Sequence, residues 1–270
     1  MNDWLTIRRR DAPLLVSLPH TGTEIPAPFD QGLVSPWIAR KDADWWIDKL
    51  YDFAAGLGAT IVHTAISRTV IDVNRDPAGV SLYPGQATTE LCPTTTFDGE
   101  ALYKTAAPDA AAIAHRRETF FAPYHAALAD EIARLRTLHD KVVLYDCHSI
   151  RSVIPRLFEG TLPEMNIGTN SGASCDPALS AAIAGHAQAS GFSHFVNGRF
   201  KGGFITRNFG KPSAGVHAVQ MELACRSYMH EPLGAVTEAA WPTPYDEAKA
   251  AAMRTTLTEI LKTCIQFAKS

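Results

Sequence analysis

Three short apolar runs constrain this chain more than any other feature, because each carries a reactive side chain at or just past its end. Leu14 to Leu18 runs into Pro19-His20, and Lys141-VVLY-Asp146 runs into Cys147-His148. The third run, VHAVQMELA, contains Glu222. Runs of this length, bounded by turn residues, read as buried strands. The stretches between them place apolar residues at helical spacing. Asp44 to Ala55 carries Trp46, Ile47, Leu50, Phe53 and Ala54, with Gly56 and Gly58 as its stop, and Ala59 to Ala65 reads as a strand. Asp109 to His139 sets Phe121, Tyr124, Leu128, Ile132 and Leu135 on one stripe, with Pro123 as an early break or kink. Pro177 to Ser190 and Tyr245 to Phe267 read as further helices. Phe195-Val196 reads as a short strand, and Gly202-Gly203 as the opening of another through Thr206. Residues 76–100, rich in Pro, Gly and Thr, form a long ordered loop.

Strands alternating with helices imply an α/β fold: a three-layer α/β/α sandwich with a mostly parallel or mixed central sheet, residues 1–270 forming one domain. Ligands of such folds gather at the carboxyl ends of the strands, where His20, His148 and Glu222 all fall. A net charge of −3, with no Lys/Arg run supplying a basic patch, argues against nucleic-acid and membrane-surface partners. A substrate anion must therefore meet individually placed cations. No apolar stretch approaches the roughly 20 residues that span a bilayer. The charged start, MNDWLTIRRRDAP, lacks the apolar segment of a secretory signal, so a cytoplasmic protein is expected. The five cysteines are odd in number and include no CxxC pair, which implies free buried thiols. Cys147 cannot serve His148 as a nucleophile, because neighbours along a strand point to opposite faces.

A catalytic zinc site takes three ligands from His and Asp/Glu and leaves one position open. His20 lies in SLPHTG, where Gly22 allows a sharp turn after the strand. His148 lies in YDCHS, two residues from Asp146, which either orients its imidazole or caps the strand end. Asp44, at a helix mouth, is the chosen carboxylate ligand, with Glu24, Asp42 and Asp48 as alternatives; a carboxylate there also complements the helix dipole. Arg68 and the Asp72-Val-Asn74-Arg75 segment read as an anion clamp or as an ordinary surface turn. Glu222, flanked by Val219, Met221 and Leu223, is expensive to bury alone. It is either a general base of raised proton affinity or the partner of an arginine such as Arg226. No HExxH helix and no GxSxG elbow is present.

The chain resembles the N-formylglutamate amidohydrolase family. The segments LLVSLPHTGTEIP, SLYPGQ, LCPTTTFDGE, LYDCHSIRSVIPRLFEG, MNIGTNSGASC, NGRFKGGFITRNFG and HAVQMELA carry the resemblance, as does the SR-x3-D-x-NR pattern at Ser67–Arg75. The resemblance implies a fold similar to that of zinc-dependent exopeptidases such as the carboxypeptidases. It also implies hydrolysis of N-formyl-L-glutamate to formate and L-glutamate, late in histidine degradation, with a divalent metal, zinc by expectation. By the resemblance, His20, Asp44 and His148 hold the metal, Glu222 is catalytic, and Asn74 and Arg75 grip a substrate carboxylate. Arg68 would face the oxyanion. The side-chain carboxylate would meet a further cation, Arg151 or Arg207 first, with Arg199 and Lys201 also eligible. The rivals are an amidohydrolase of another N-acyl acidic amino acid and a non-catalytic carboxylate-binding protein on the same scaffold.

Overall fold

In the computed structural model, residues 3–81, 85 and 87–270 are described. Leu82, Tyr83, Pro84 and Gln86 of the SLYPGQ segment, and Met1 and Asn2 of the N-terminal segment, therefore lie outside the described residues. The strands are β1 (Leu5–Arg8), β2 (Leu14–Leu18), β3 (Thr60–Thr64), β4 (Val142–Ile150), β5 (Met165–Gly168), β6 (His194–Val196) and β7 (Val216–Ala224). They form one sheet in the order β1-β3-β2-β4-β7-β5-β6. The four central strands β3, β2, β4 and β7 run parallel to one another, while β1 joins β3 and β5 joins β7 antiparallel. The sheet is thus mixed, with its reactive residues on the parallel centre.

The helices are α1 (Ile47–Leu50), α2 (Ala110–Arg116), α3 (Ala122–Arg136), α4 (Pro177–Ser190), α5 (Phe204–Phe209) and α6 (Glu247–Lys269). They cover both faces of the sheet. Val143, Tyr145 and Cys147 of β4 and Val219, Met221 and Leu223 of β7 share one core with Leu50 of α1, Leu179 and Ile183 of α4, and Leu257 and Ile260 of α6. Val142 and Leu144 of β4 and Ala218 of β7 share the other with Tyr124, Leu128, Ile132 and Leu135 of α3 and Ile205 of α5. Each such aliphatic side chain contributes about 1.5–3 kcal/mol relative to exposure. The two-residue alternation of a strand then puts Asp146, His148, Gln220 and Glu222 on the α3/α5 face. Cys147 lies in the opposite core, and all five cysteines are free and buried.

Asp109 caps α2 by accepting from the Ala112 N–H (2.8 Å), and Asp176 caps α4 ahead of Pro177. The expected helix over 109–139 is continuous but passes through a π-helical segment, Arg117–Phe121, just before Pro123, which sits in the first turn of α3. The helix expected from Asp44 begins only at Ile47, because Trp46 has a left-handed backbone (φ 64°), and it continues as a 3-10 segment, Asp52–Leu57, that ends at Gly58 (φ 81°). The strand expected from Gly202 to Thr206 is corrected. Gly202 turns the chain with φ 108°, and Phe204 onward coils as α5, whose Ile205 is buried in the second core. β1 and β5 had escaped the pattern, being four-residue strands with little apolar signal.

Candidate active site

His20 lies two residues past β2, on a segment pressed against the end of β3. Glu24 bridges Ile66, its N–H donating to Ala65 O (2.8 Å). Gly22 serves this approach and not the expected sharp turn. Its φ is not positive, but a Cβ would fall 2.4 Å from the Ala65 carbonyl carbon. The Asp44 N–H donates to the His20 carbonyl (2.9 Å), which brings the carboxylate alongside the imidazole. His148 stands in β4 directly opposite Glu222 in β7.

The structure therefore gathers His20, Asp44 and His148, all buried, into a cluster that could hold a metal ion. His148 Nδ1 lies 3.1 Å from His20 Nδ1 and 3.1 Å from Asp44 Oδ2, and His20 Nδ1 lies 3.7 Å from Asp44 Oδ2. Of the alternative ligands, Glu24 and Asp48 are exposed, and Asp42 accepts the Phe97 N–H (2.6 Å). The far nitrogens are committed: His20 Nε2 donates to Asp72 Oδ1 (2.7 Å), and His148 Nε2 donates to Asp146 Oδ2 (2.9 Å). With those protons on Nε2, both Nδ1 atoms of the neutral rings present lone pairs toward one point, where a carboxylate oxygen also arrives. Three buried acceptors without a donor repel one another unless a cation joins them. Donors about 2.0–2.2 Å from a tetrahedral ion stand about 3.3–3.5 Å apart, close to the separations seen.

A proton stands in for that cation here. Burial opposes a charged His148, yet the carboxylates of Asp146 and Asp44 outweigh it and raise its pKa well above the ordinary value. Burial likewise opposes ionisation of Asp44, but hydrogen bonds from His148 and His20 hold its pKa below the usual carboxylate range. Glu222 behaves differently: burial pushes its pKa up to about 7, against the pull of His148. Arg226, considered as its partner, donates instead to Ser152 Oγ (2.8 Å). Gln220 holds Glu222 in place. Its Oε1 accepts from the Gly203 N–H (2.7 Å), which turns Nε2 to donate to Glu222 Oε2 (3.1 Å).

Arg68 is buried between Asp72 (2.6 Å) and Asp44 (3.5 Å), over the ring of Phe97. Asn74 is more occupied than expected. Its Oδ1 accepts from the Ile205 N–H (2.8 Å), and its Nδ2 donates to Asp146 Oδ2 (3.2 Å) beside His148 Nε2. A Cβ at Gly203 would lie 2.4 Å from that amide. Asn74 thus braces the imidazole of His148, which leaves Arg75 as the cation of the pair. Arg75 donates to Thr89 O and Oγ1 (3.1 Å each) and faces a cavity lined by His20, Arg68, His148, Arg199, Phe200 and Glu222, among others. Arg151 and Arg207 are not among its lining residues. Arg151 donates to Asp98 (2.7 Å) and faces a separate depression, while Arg207 Nε donates to Gly202 O (2.9 Å).

Sequence reasoning had not assigned a role to Asp72 or Gln220. Asp72 lies in the same SR-x3-D-x-NR segment, and Gln220 stands one strand period before Glu222, which is the only signal either leaves. Asp72 ties three groups together: His20, Arg68 and the Asn74 N–H.

A mixed α/β sheet with this cluster at the carboxyl ends of its parallel strands defines an α/β protein with a buried site able to hold a metal ion. Sequence comparison narrows the class. The sequence model for N-formylglutamate amidohydrolase matches residues 12–229. A Pseudomonas aeruginosa PAO1 protein named N-formylglutamate deformylase is 44% identical over 100% of this chain and 98% of its own. A Pseudomonas putida protein of the same name is 47% identical over 86% of this chain and 87% of its own. The crystal structure of N-formylglutamate amidohydrolase from Ralstonia eutropha JMP134 has the same fold, with a TM-score of 0.78 at 22% identity over 98% of each chain. The chain belongs to the N-formylglutamate amidohydrolase family.

Proposed function

We propose that this protein, acting as one catalytic domain over residues 1–270 in the cytoplasm, hydrolyses N-formyl-L-glutamate to formate and L-glutamate during histidine degradation. The observation that carries the reading is the convergence of three possible ligand atoms, from His20, Asp44 and His148, next to a desolvated glutamate. Those three residues are the ligands in this reading, and a bound divalent ion, zinc by the chemistry of the donor set, would supply a Lewis acid and a water of lowered pKa. Glu222 takes a proton as the water oxygen bonds to the formyl carbon. It returns that proton to the amide nitrogen as the carbon–nitrogen bond breaks. The Arg68 guanidinium, held by Asp72, faces the negative charge that develops on the formyl oxygen. Gln220 keeps Glu222 aimed at the reacting atoms.

The decisive experiment pairs metal analysis of the purified protein with a formate-release assay on N-formylglutamate. About one metal per chain, with release abolished by chelation and restored by zinc, is expected. Tight N-formylglutamate binding without formate release would leave a carboxylate-binding protein instead.

Arg75 grips one substrate carboxylate in this reading. Arg75→Ala should therefore raise the KM for N-formylglutamate about 30- to 100-fold, the size of a lost charge-assisted contact, and change kcat much less. An unchanged KM would reduce Arg75 to a brace for Thr89.

A further inference from the structure

Arg68, the cation that faces the developing oxyanion, is held firmly at one edge only. It makes its short hydrogen bond to Asp72 (2.6 Å), while Asp44 Oδ1 stands 3.5 Å from its other Nη. A single hydrogen bond fixes one point of a guanidinium, whereas a bidentate pair would fix its plane. Phe97 supplies the missing constraint. Arg68 Cζ lies over its ring, 4.8 Å from the centroid, and both side chains line the cavity together with His148 and Glu222. A buried guanidinium stacked on an aromatic face is attracted by the ring quadrupole and cannot tilt away without losing that contact. The ring is itself clamped. The Phe97 N–H donates to Asp42 Oδ2 (2.6 Å), and the next residue, Asp98, pairs with Lys41 (2.6 Å) and Arg151 (2.7 Å). The side chain is buried in a small apolar cluster with Ile150, Ile154 and Leu162.

We infer that Phe97 is a positioning residue for the reaction: its ring fixes the plane of Arg68 toward the oxygen that becomes negative as the amide carbon is attacked. This rests on the amidohydrolase reading above and adds to it the group that orients the oxyanion cation. A donor already in place when charge develops spends no free energy on turning toward it. Removing the ring should therefore slow the chemical step and leave substrate binding nearly unchanged.

The test measures kcat and KM for N-formylglutamate in Phe97→Leu and Phe97→Met, which keep an apolar side chain against Ile150, and in Phe97→Tyr, which keeps the ring. Phe97→Leu and Phe97→Met should each lower kcat about 10- to 30-fold, the size of a desolvated cation–π contact, with KM within about twofold of wild type. Phe97→Tyr should stay within about threefold of the wild-type kcat. In an Arg68→Lys background the same loss of the ring should lower kcat by less than about twofold, because an ammonium pairs with Asp72 but has no plane to hold. Two apolar replacements are made so that the comparison survives if one of them fails to fold. An equal loss in both backgrounds would make Phe97 a structural residue only, and a raised KM at unchanged kcat would make it a binding residue. Either result overturns the inference, as would a wild-type kcat in both Phe97→Leu and Phe97→Met. If the wild-type protein releases no formate, the amidohydrolase reading fails and takes this inference with it. With an active wild type, those results overturn the inference alone.

Discussion

Glu222→Gln should keep the metal-binding cluster yet hydrolyse N-formylglutamate about 10²–10⁴-fold more slowly, the range typical of a lost general base. Glutamine fills the same space and can still accept from Gln220 Nε2, so the wall of the cavity survives. It cannot take a proton from water. The same substitution should stabilise the metal-free protein at high pH. Folding raises the Glu222 pKa from 4.5 to about 7 by desolvation, so the folded chain holds that proton more tightly than the unfolded one. The advantage is complete below the unfolded value and is lost as pH rises through the folded value. At pH 8 the ionised, buried carboxylate therefore costs about 3 kcal/mol, at about 1.4 kcal/mol for each pKa unit. Metal-free Glu222→Gln should melt above the wild type at pH 8, and the gap should close toward pH 4. Steady-state formate release and thermal melts at the two pH values check both halves. Full turnover in a folded variant would remove Glu222 from the chemistry.

His20→Ala should weaken metal binding by more than about 100-fold, since even a residue that merely orients a ligand commonly costs 10- to 100-fold. Formate release should fall with it to background. His20 is the better ligand to remove, because Asp72 keeps Arg68 and the Asn74 N–H as partners, whereas loss of His148 would take a partner from both Asp146 and Asp44 at once. Metal binding by the wild type should also release a proton. In the metal-free protein the carboxylates beside His148 raise its pKa well above the ordinary value, so at neutral pH the ring carries a proton on the nitrogen that faces Asp44. Ligation needs that nitrogen bare. Affinity should therefore fall about tenfold for each pH unit lowered while His148 stays protonated. Calorimetric titration with zinc in buffers of different ionisation enthalpy measures the released proton. Uptake without proton release would mean that the ion sits elsewhere.

The sandwich was legible because its signals are local. The apolar run Leu14–Leu18 matches β2 end to end, Pro177–Ser190 matches α4, and the stripe from Phe121 to Leu135 is the buried face of the α3 layer. β2 is buried on both faces and shows as a continuous apolar run, while the helices bury one side at the helical period, and the sequence shows both patterns directly. Where local pattern and tertiary contact disagreed, the pattern misled. Gly202-Gly203 looks like the start of a strand, yet Gly203 is needed because Asn74 packs where its Cβ would be. Trp46 fits a helical stripe, yet its left-handed backbone shortens α1.

By itself, then, the sequence determined the alternation of elements and the reactive residues at the strand ends, because period and strand polarity are properties of a single segment. Only the tertiary structure decided which groups share a hydrogen bond. It spent Asn74 on Ile205 and Asp146, coupled Asp72 to His20, aimed Gln220 at Glu222, and turned Arg151 away from the cavity toward Asp98. These are contacts across as many as 131 residues of chain, set by how layers pack, and no periodicity within one segment encodes them.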